Sequence, residues 1–170
     1  MPSSARGFDY TTGFISPDEE RALLAEIAGL AFRDAHYKEY TAKRRVVVYD
    51  RGPPAFLEPL REKVGRWLGV PAADFPHALI SEYRPGTGVG WHRDMPEFAL
   101  VAGISLAAAA RMRFRPYPPA RTGRREILAL ELEPRSAYVL RDDVRWKWQH
   151  SIAPTRALRY SITFRTLLEP

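Results

Sequence analysis

The sequence predicts a mainly β (α+β) fold: a jelly roll of two antiparallel sheets with supporting helices at its N-terminal side. Three observations predict it. From Ala78 onward the apolar runs are short and separated by Pro and Gly, the pattern of a sandwich or barrel. Eight such runs suit a jelly roll with a mouth at one end. Ahead of them, two stretches carry apolar residues at helical rather than strand spacing. A chain of 170 residues is about one domain and long enough to enclose a hydrophobic core. With no internal repeat, long linker or low-complexity segment, residues 1–170 read as a single domain. Within it, 1–77 form a helical and substrate-side part and 78–168 the jelly-roll core.

The first helix starts at Ser16-Pro17-Asp18-Glu19. Ser16 serves as N-cap, Pro17 suits the first helical position, and Glu19 stands where a capping box needs it. Leu23, Leu24, Ile27 and Leu30 make one apolar stripe, with Gly29 near the expected end. Arg33 to Arg45 is polar and aromatic and precedes a strand-like Val46-Val47-Val48-Tyr49. Gly52-Pro53-Pro54 breaks the chain before a second helix over Phe56–Leu68, with Leu57, Leu60, Val64, Trp67 and Leu68 inward. The expected strands are Ala78–Tyr83, Gly88–Arg93, Ala99–Leu106, Arg111–Arg115, Arg125–Leu132, Ala137–Arg141, Val144–His150 and Leu158–Thr166, with Asp142-Asp143 as a turn.

Alternation adds detail. Arg111, Arg113 and Arg115 share one strand face and Met112 and Phe114 the other, so that strand has one wet side. His150 shares a face with Trp148 and Trp146. From Arg159 to Arg165 the polar residues share a face, opposite Tyr160, Ile162 and Phe164. A polar face that begins and ends with arginine is unusual for a surface strand, and a ligand-filled sandwich interior would account for it.

Composition excludes several classes. There is no cysteine, so there is no disulfide framework and any metal must be held by His and carboxylate ligands. No apolar run approaches the roughly 18 residues of a membrane span, and Met1 to Arg6 lacks the apolar core of a signal peptide. A cytoplasmic monomer is the expectation, with no membrane partner. The net charge of +6 suits a polyanionic partner such as nucleic acid, or a solvated basic surface.

The residues that carry chemistry are His92, Asp94, His150, Arg159 and Arg165. His92 and Asp94 lie two apart, so on a strand both project from one face. A chance His-x-Asp is a surface His beside a solvated Asp, but a third ligand at His150 completes the two-His-one-carboxylate set of non-haem Fe(II) oxygenases. Arg159 and Arg165, six apart and of equal parity, suit a dicarboxylate beside the metal. Trp91 has the opposite parity to His92 and is expected to pack on the other face. His36 and His77 have no partner at metal spacing and read as a loop His and a partly buried His. Tyr37, Tyr40, Lys43, Arg44 and Arg45 form either a substrate rim with stacking and phosphate contacts or a solvated loop. Trp148 is either core or a wall of the metal pocket.

In their order and spacing these pieces resemble the AlkB family of Fe(II)- and 2-oxoglutarate-dependent dioxygenases. The matching segments are Leu79-Ile80-Ser81-Glu82-Tyr83-Arg84-Pro85-Gly86, His92-Arg93-Asp94-Met95-Pro96-Glu97, Gly103-Ile104-Ser105-Leu106, His150-Ser151-Ile152 and Arg159 to Arg165. Lys43-Arg44-Arg45-Val46 is similar to the family's substrate-side segment. The resemblance implies a double-stranded β-helix core and an enzyme using Fe(II), 2-oxoglutarate and O2. His92, Asp94 and His150 would hold the metal. Arg159 would pair with the distal carboxylate of 2-oxoglutarate, helped by Tyr83, with Ser81 and Ser161 nearby. Arg165 would contact the other carboxylate and brace Asp94.

The activity implied is oxidative demethylation of N-alkylated DNA or RNA, releasing succinate, CO2 and formaldehyde. Three departures matter. Ser81 and Ser161 stand where family members often carry Asn. Pro96 occupies the position of an acidic base-reading residue, with Glu97 following. Little chain is available for a nucleotide-recognition lid. The alternatives are a protein or small-molecule hydroxylase or demethylase of the same family with a reduced lid, and a non-catalytic jelly-roll binding module.

Overall fold

The computed structural model describes residues 5–37, 40–123 and 125–169, without the side chains of 36–42. Two antiparallel sheets face each other. The larger runs in the order β1 (Phe8–Thr11), β9 (Ala137–Leu140), β6 (Phe98–Leu106), β11 (Arg159–Leu167), β4 (His77–Tyr83), β3 (Tyr40–Tyr49), β2 (Arg33–Tyr37). The smaller is β5 (Val89–His92), β10 (Trp148–Ile152), β7 (Ala110–Pro116), β8 (Leu128–Leu132). The strands expected from Ala78 onward are β4 to β11, four in each sheet, which makes the expected jelly roll.

Three elements differ from the sequence reading. β1 pairs with β9, from Phe8 opposite Leu140 to Thr11 opposite Ala137; four residues are too few for alternation to announce them. The stretch read as polar before Val46 is instead an antiparallel hairpin, β2 with β3, docked on β4. Backbone pairing to an existing sheet edge is tertiary, so a polar composition does not forbid it. Val144–Trp146 is not strand. A short helix, α3 (Asp142–Trp146), precedes β10, and its alternating Val-Arg-Trp mimicked a strand.

The helices form as the sequence dictates. In α1 (Pro17–Ile27) the Ser16 hydroxyl accepts a hydrogen bond from the Glu19 N–H at 3.1 Å, satisfying one orphan donor of the first turn. α2 (Glu58–Leu68) follows a single 3-10 turn, Ala55–Leu57, and ends on Gly69 at φ 67°, a left-handed cap that glycine adopts without penalty. Leu23, Ile27, Leu57, Leu60 and Val64 pack against Ala78, Ile80, Ala102, Ile104, Ile162 and Phe164 of the larger sheet. That layer leaves the sheet's other face to meet the smaller sheet, where Val101, Met112, Phe114, Leu132, Tyr138 and Trp148 form a second apolar cluster. No helix is long and apolar enough to cross a membrane.

Leu57 is fully buried where the two helices meet the sheet. Leu57→Ala should lower the unfolding free energy by about 2–5 kcal/mol, through lost transfer energy and a residual cavity, as read by urea denaturation.

Candidate metal and cosubstrate site

β5 delivers the first candidate ligand, His92, through an irregularity. His92 lies opposite His150, but the next pair is Val89 opposite Ile152, so β5 carries one extra residue between them. This bulge turns both Val89 and His92 into the space between the sheets and sends Trp91 outward, as its parity predicted. Gly88 permits it. A Cβ at that position would lie 2.4 Å from the Ile152 carbonyl oxygen, so no larger residue lets the chain run so close to β10. The Gly90 carbonyl then accepts a hydrogen bond from His92 Nδ1 at 2.8 Å, which leaves Nε2 as the free ring nitrogen. The strand ends at His92, so Asp94 reaches the site from the turn beyond it, not from the strand.

His92, Asp94 and His150 each offer a ligand atom, and these atoms lie within 4.8 Å of one another. The two imidazole rings are 4.3 Å apart between centres, and His150 Nε2 is 3.4 Å from Asp94 Oδ2. Asp94 divides its oxygens. Oδ1 accepts from Arg165 Nε at 3.0 Å and Nη2 at 2.8 Å, whereas Oδ2 is buried with no hydrogen-bond partner. An orphaned carboxylate oxygen beside two imidazoles fits a divalent metal, and two nitrogens with one oxygen suit Fe(II). Burial alone would raise the Asp94 pKa, but Arg165 above all, with the two histidines, holds the carboxyl well below the usual carboxylate range. Burial pushes His150 down to about 3, and burial likewise lowers His92, so both rings are neutral and ready to ligate.

β11 supplies the other end of the cavity. Arg159, Ser161, Thr163 and Arg165 all line it, and register sets Ser161 opposite Ser81 and Arg159 opposite Tyr83. Arg159 is 1% exposed. Its Nε donates to Ser105 Oγ at 3.0 Å, its guanidinium sits 4.9 Å from the Tyr83 ring centre, and Nη1 is buried with no partner. Arg44 on β3 also lines the cavity. Burial would raise the Tyr83 pKa, yet Arg44 and Arg159 bring it below the ordinary tyrosine value. Three guanidiniums against one carboxylate, with a buried donor unmet, suit a small dicarboxylate such as 2-oxoglutarate.

The remaining candidates divide. Trp148 is 4% exposed in the apolar cluster and does not line the cavity, because it packs beneath β10 with Val144 and Phe114. Arg45 lies on the opposite face of β3 from Arg44, where it pairs with Glu82 at 3.2 Å and donates to the Phe32 carbonyl. Lys43 and Glu97 are exposed and away from the cavity. The side chains of Tyr37 and Tyr40 lie outside the described residues.

Sequence reasoning missed several residues. Arg145, 2% exposed on α3, donates to the carbonyls of Met95 and Phe98 at 2.7 and 2.6 Å and so pins the turn that follows Asp94. His77 Nδ1 approaches Arg165 Nη1 at 3.5 Å, while its Nε2 faces Asp50 at 3.4 Å. With Nε and Nη2 on Asp94 and Nη1 on His77, Arg165 has its donors turned to bracing. Tyr138 crosses the cavity side of β6 at Gly103, where a Cβ would lie 2.4 Å from the ring; burial pushes its pKa up to about 12, so it stays a hydroxyl donor. For Arg145 and His77 no local sequence signal exists. Ser105 and Tyr138 lie on strands separate from Arg159, so only the pairing of β6 with β9 and β11 brings them to the cavity.

The neutral histidines carry a pH consequence. Because His150 titrates near 3 when folded but near 6.5 when unfolded, the unfolded chain takes the proton first. Its contribution is complete above pH 6.5 and is lost as pH falls toward 3. The melting temperature of metal-free protein should therefore fall across that window, and His150→Gln should flatten part of the fall.

The profile of the 2OG-Fe(II) oxygenase superfamily matches residues 8–165. The uncharacterized protein L905 of Acanthamoeba polyphaga mimivirus is 26% identical over 195 aligned residues, covering 96% of this chain and 86% of the relative. Among solved structures, a Pseudomonas putida prolyl-4-hydroxylase is similar at TM-score 0.70 and 16% identity, covering 96% of this chain and 94% of that one. A Trichoplax adhaerens prolyl hydroxylase, in complex with a hypoxia inducible factor oxygen degradation domain peptide fragment, is similar at TM-score 0.68 and 13% identity, covering 95% and 83%. At such identities the two structures speak for the fold, the double-stranded β-helix. The profile spans both sheets and the three residues that could hold a metal, and the chain belongs to the 2OG-Fe(II) oxygenase superfamily, as an Fe(II)- and 2-oxoglutarate-dependent dioxygenase.

Proposed function

We propose that this dioxygenase oxidatively removes N-alkyl groups from nucleic acid, with 2-oxoglutarate seated against Arg159. The observation that carries the cosubstrate end is the buried, partnerless Nη1 of Arg159, in the same cavity as the orphaned Oδ2 of Asp94. A planar guanidinium can meet a carboxylate with two parallel bonds, which lysine cannot. Ser105 fixes the orientation of that fork from behind, and the Tyr83 hydroxyl, with Ser81 and Ser161, offers further hydrogen bonds from the walls. Arg165 holds Asp94 with Oδ2 turned to the metal position, while the Gly90 carbonyl fixes His92 with Nε2 forward. Once bound, Fe(II) with 2-oxoglutarate and O2 supplies the oxidising chemistry and yields succinate and CO2. Met112, Val101 and Ile152 line the remaining wall and keep water from the reacting atoms.

The nucleic-acid substrate is supported by the AlkB-like order of motifs and by the net charge of +6. Oxidising an N-methyl carbon there gives formaldehyde and the unmodified base. A second reading, hydroxylation of a protein, is favoured by one observation: the Trichoplax adhaerens structure holds a peptide.

Two experiments test these readings. Arg159→Ala should raise the 2-oxoglutarate concentration needed for half-maximal succinate formation roughly tenfold or more, the loss of a charge-assisted pair, and leave Fe(II) affinity within about twofold. Arg165→Ala should do the reverse, weakening Fe(II) about 10–100-fold through the unbraced carboxylate. Equal losses of both in each variant would overturn the division of roles. For the substrate, mass spectrometry of methylated single- and double-stranded oligonucleotides should show loss of one methyl with matching formaldehyde. Succinate formed without any methyl loss would turn the assignment to protein.

A further inference from the structure

The outer face of the smaller sheet carries Arg111, Arg113 and Arg115 on β7, with Glu131 of β8 in register opposite Arg111. Several arginines elsewhere meet acids: Arg21 with Asp18, Arg61 with Glu58, Arg135 with Glu20 and Arg141 with Asp9. On this face the partners of Arg113, Arg115 and Arg93 are neutral. Arg113 and Arg115 lie 5.2 and 4.5 Å from the Trp91 ring centre and donate to Ser151 and Gln149. Arg93 stacks on Tyr117 at 4.1 Å and donates to the Trp146 carbonyl at 2.9 Å. Among the described residues, none of Arg93, Arg113, Arg115 and Arg125 forms an ion pair with an acid.

Two shallow clefts lie along this face, of about 360 and 340 Å³. The first is floored by Tyr117, Trp146 and Gln149 and abuts Asp94, so it opens beside the metal ligand. The second runs between Trp91, Pro118 and Arg125, with Glu126 as its one acidic wall. The Arg115–Gln149 pair joins them, since each cleft contains one of the two. Tyr117 and Trp146 are 42% and 37% exposed, each with an arginine over its ring, Arg93 at 4.1 Å and Arg145 at 4.2 Å.

We propose that this face is a track for single-stranded nucleic acid, which holds the strand flanking the reacting base and leads it toward the site through the cleft that Asp94 helps to line. The proposal rests on the nucleic-acid reading above. Guanidiniums free of ion pairs, interleaved with partly exposed aromatic rings, suit alternating phosphates and base faces: the charges take the backbone and the rings stack bases without reading sequence. The bulge of β5 connects this surface to the site, because the extra residue that turns His92 inward is what turns Trp91 outward.

The test is fluorescence anisotropy of a labelled, unmethylated single-stranded DNA of about 16 nucleotides, enough to span an oligonucleotide-binding site, with the full-length protein. Expected are binding that weakens with salt, a loss of about tenfold or more in Arg113→Glu/Arg115→Glu with a shallower salt slope, and a loss of about fivefold or more in Trp91→Ala that Trp91→Phe restores. Arg66→Glu, on the exposed side of α2, should bind like wild type. Melting temperature and succinate formation report whether each variant is folded. If the folded sheet-face variants bind like wild type, or Arg66→Glu loses as much, the track is wrong. If poly-glutamate displaces the DNA at lower concentration than unlabelled DNA does, the face belongs to an acidic protein and the track is again wrong. Methyl loss from oligonucleotides separates the two claims. Demethylation that survives unchanged in the sheet-face variants overturns the track alone, whereas wild type that neither binds nor demethylates DNA or RNA overturns the nucleic-acid reading itself.

Discussion

Arg165 and Asp94 hold the two sheets in working relation. Arg165 projects from β11 in the larger sheet, and Asp94 belongs to the turn that leaves β5 in the smaller one. Their side chains are 12% and 6% exposed, and two bonds at 2.8 and 3.0 Å converge on a single oxygen. Breaking such a pair costs about 3–5 kcal/mol, because the remaining charge is left buried. The pair also fixes which oxygen faces the histidines. Around it, Arg145 pins the carbonyls of Met95 and Phe98, and His77 bridges Arg165 toward Asp50. The turn after His92 is therefore a positioned part of the site, not a free loop.

The same strand shows why this interior tolerates so much charge. β11 runs between β4 and β6, and its alternate residues look opposite ways. Ile162 and Phe164 enter the apolar layer under α1 and α2, fully buried, while Arg159, Ser161, Thr163 and Arg165 enter the inter-sheet cavity. The polar face is costly to desolvate. The helix-covered face offsets that cost and keeps β11 rigid, so the arginines are held in place before any ligand arrives. Arg44, Arg159 and Arg165 outnumber Asp94, and a small dianion is the species whose burial this cavity favours.

The bulge at β5 has consequences on both sides of one sheet. It lets residues three apart face the same cavity, and it places Trp91 under Arg113 and Arg115 on the outside. The metal position and the basic, aromatic outer face are thus two results of one extra residue.

What the sequence determined by itself was the chemistry on offer: two histidines, one carboxylate, paired arginines at equal parity, and strands whose alternation separates wet from dry faces. Those are local properties, set by residue type and by the period of a strand. Tertiary structure alone decided the rest. That Asp94 arrives from a turn, that Arg45 turns away while Arg44 turns in, that Trp148 is core, and that Arg145 and His77 serve the site from elsewhere all depend on register between strands distant in the chain. Alternation says which side chains share a face. It carries no information about which faces meet, because a single inserted residue, such as the one in β5, changes the answer without changing the pattern that precedes it.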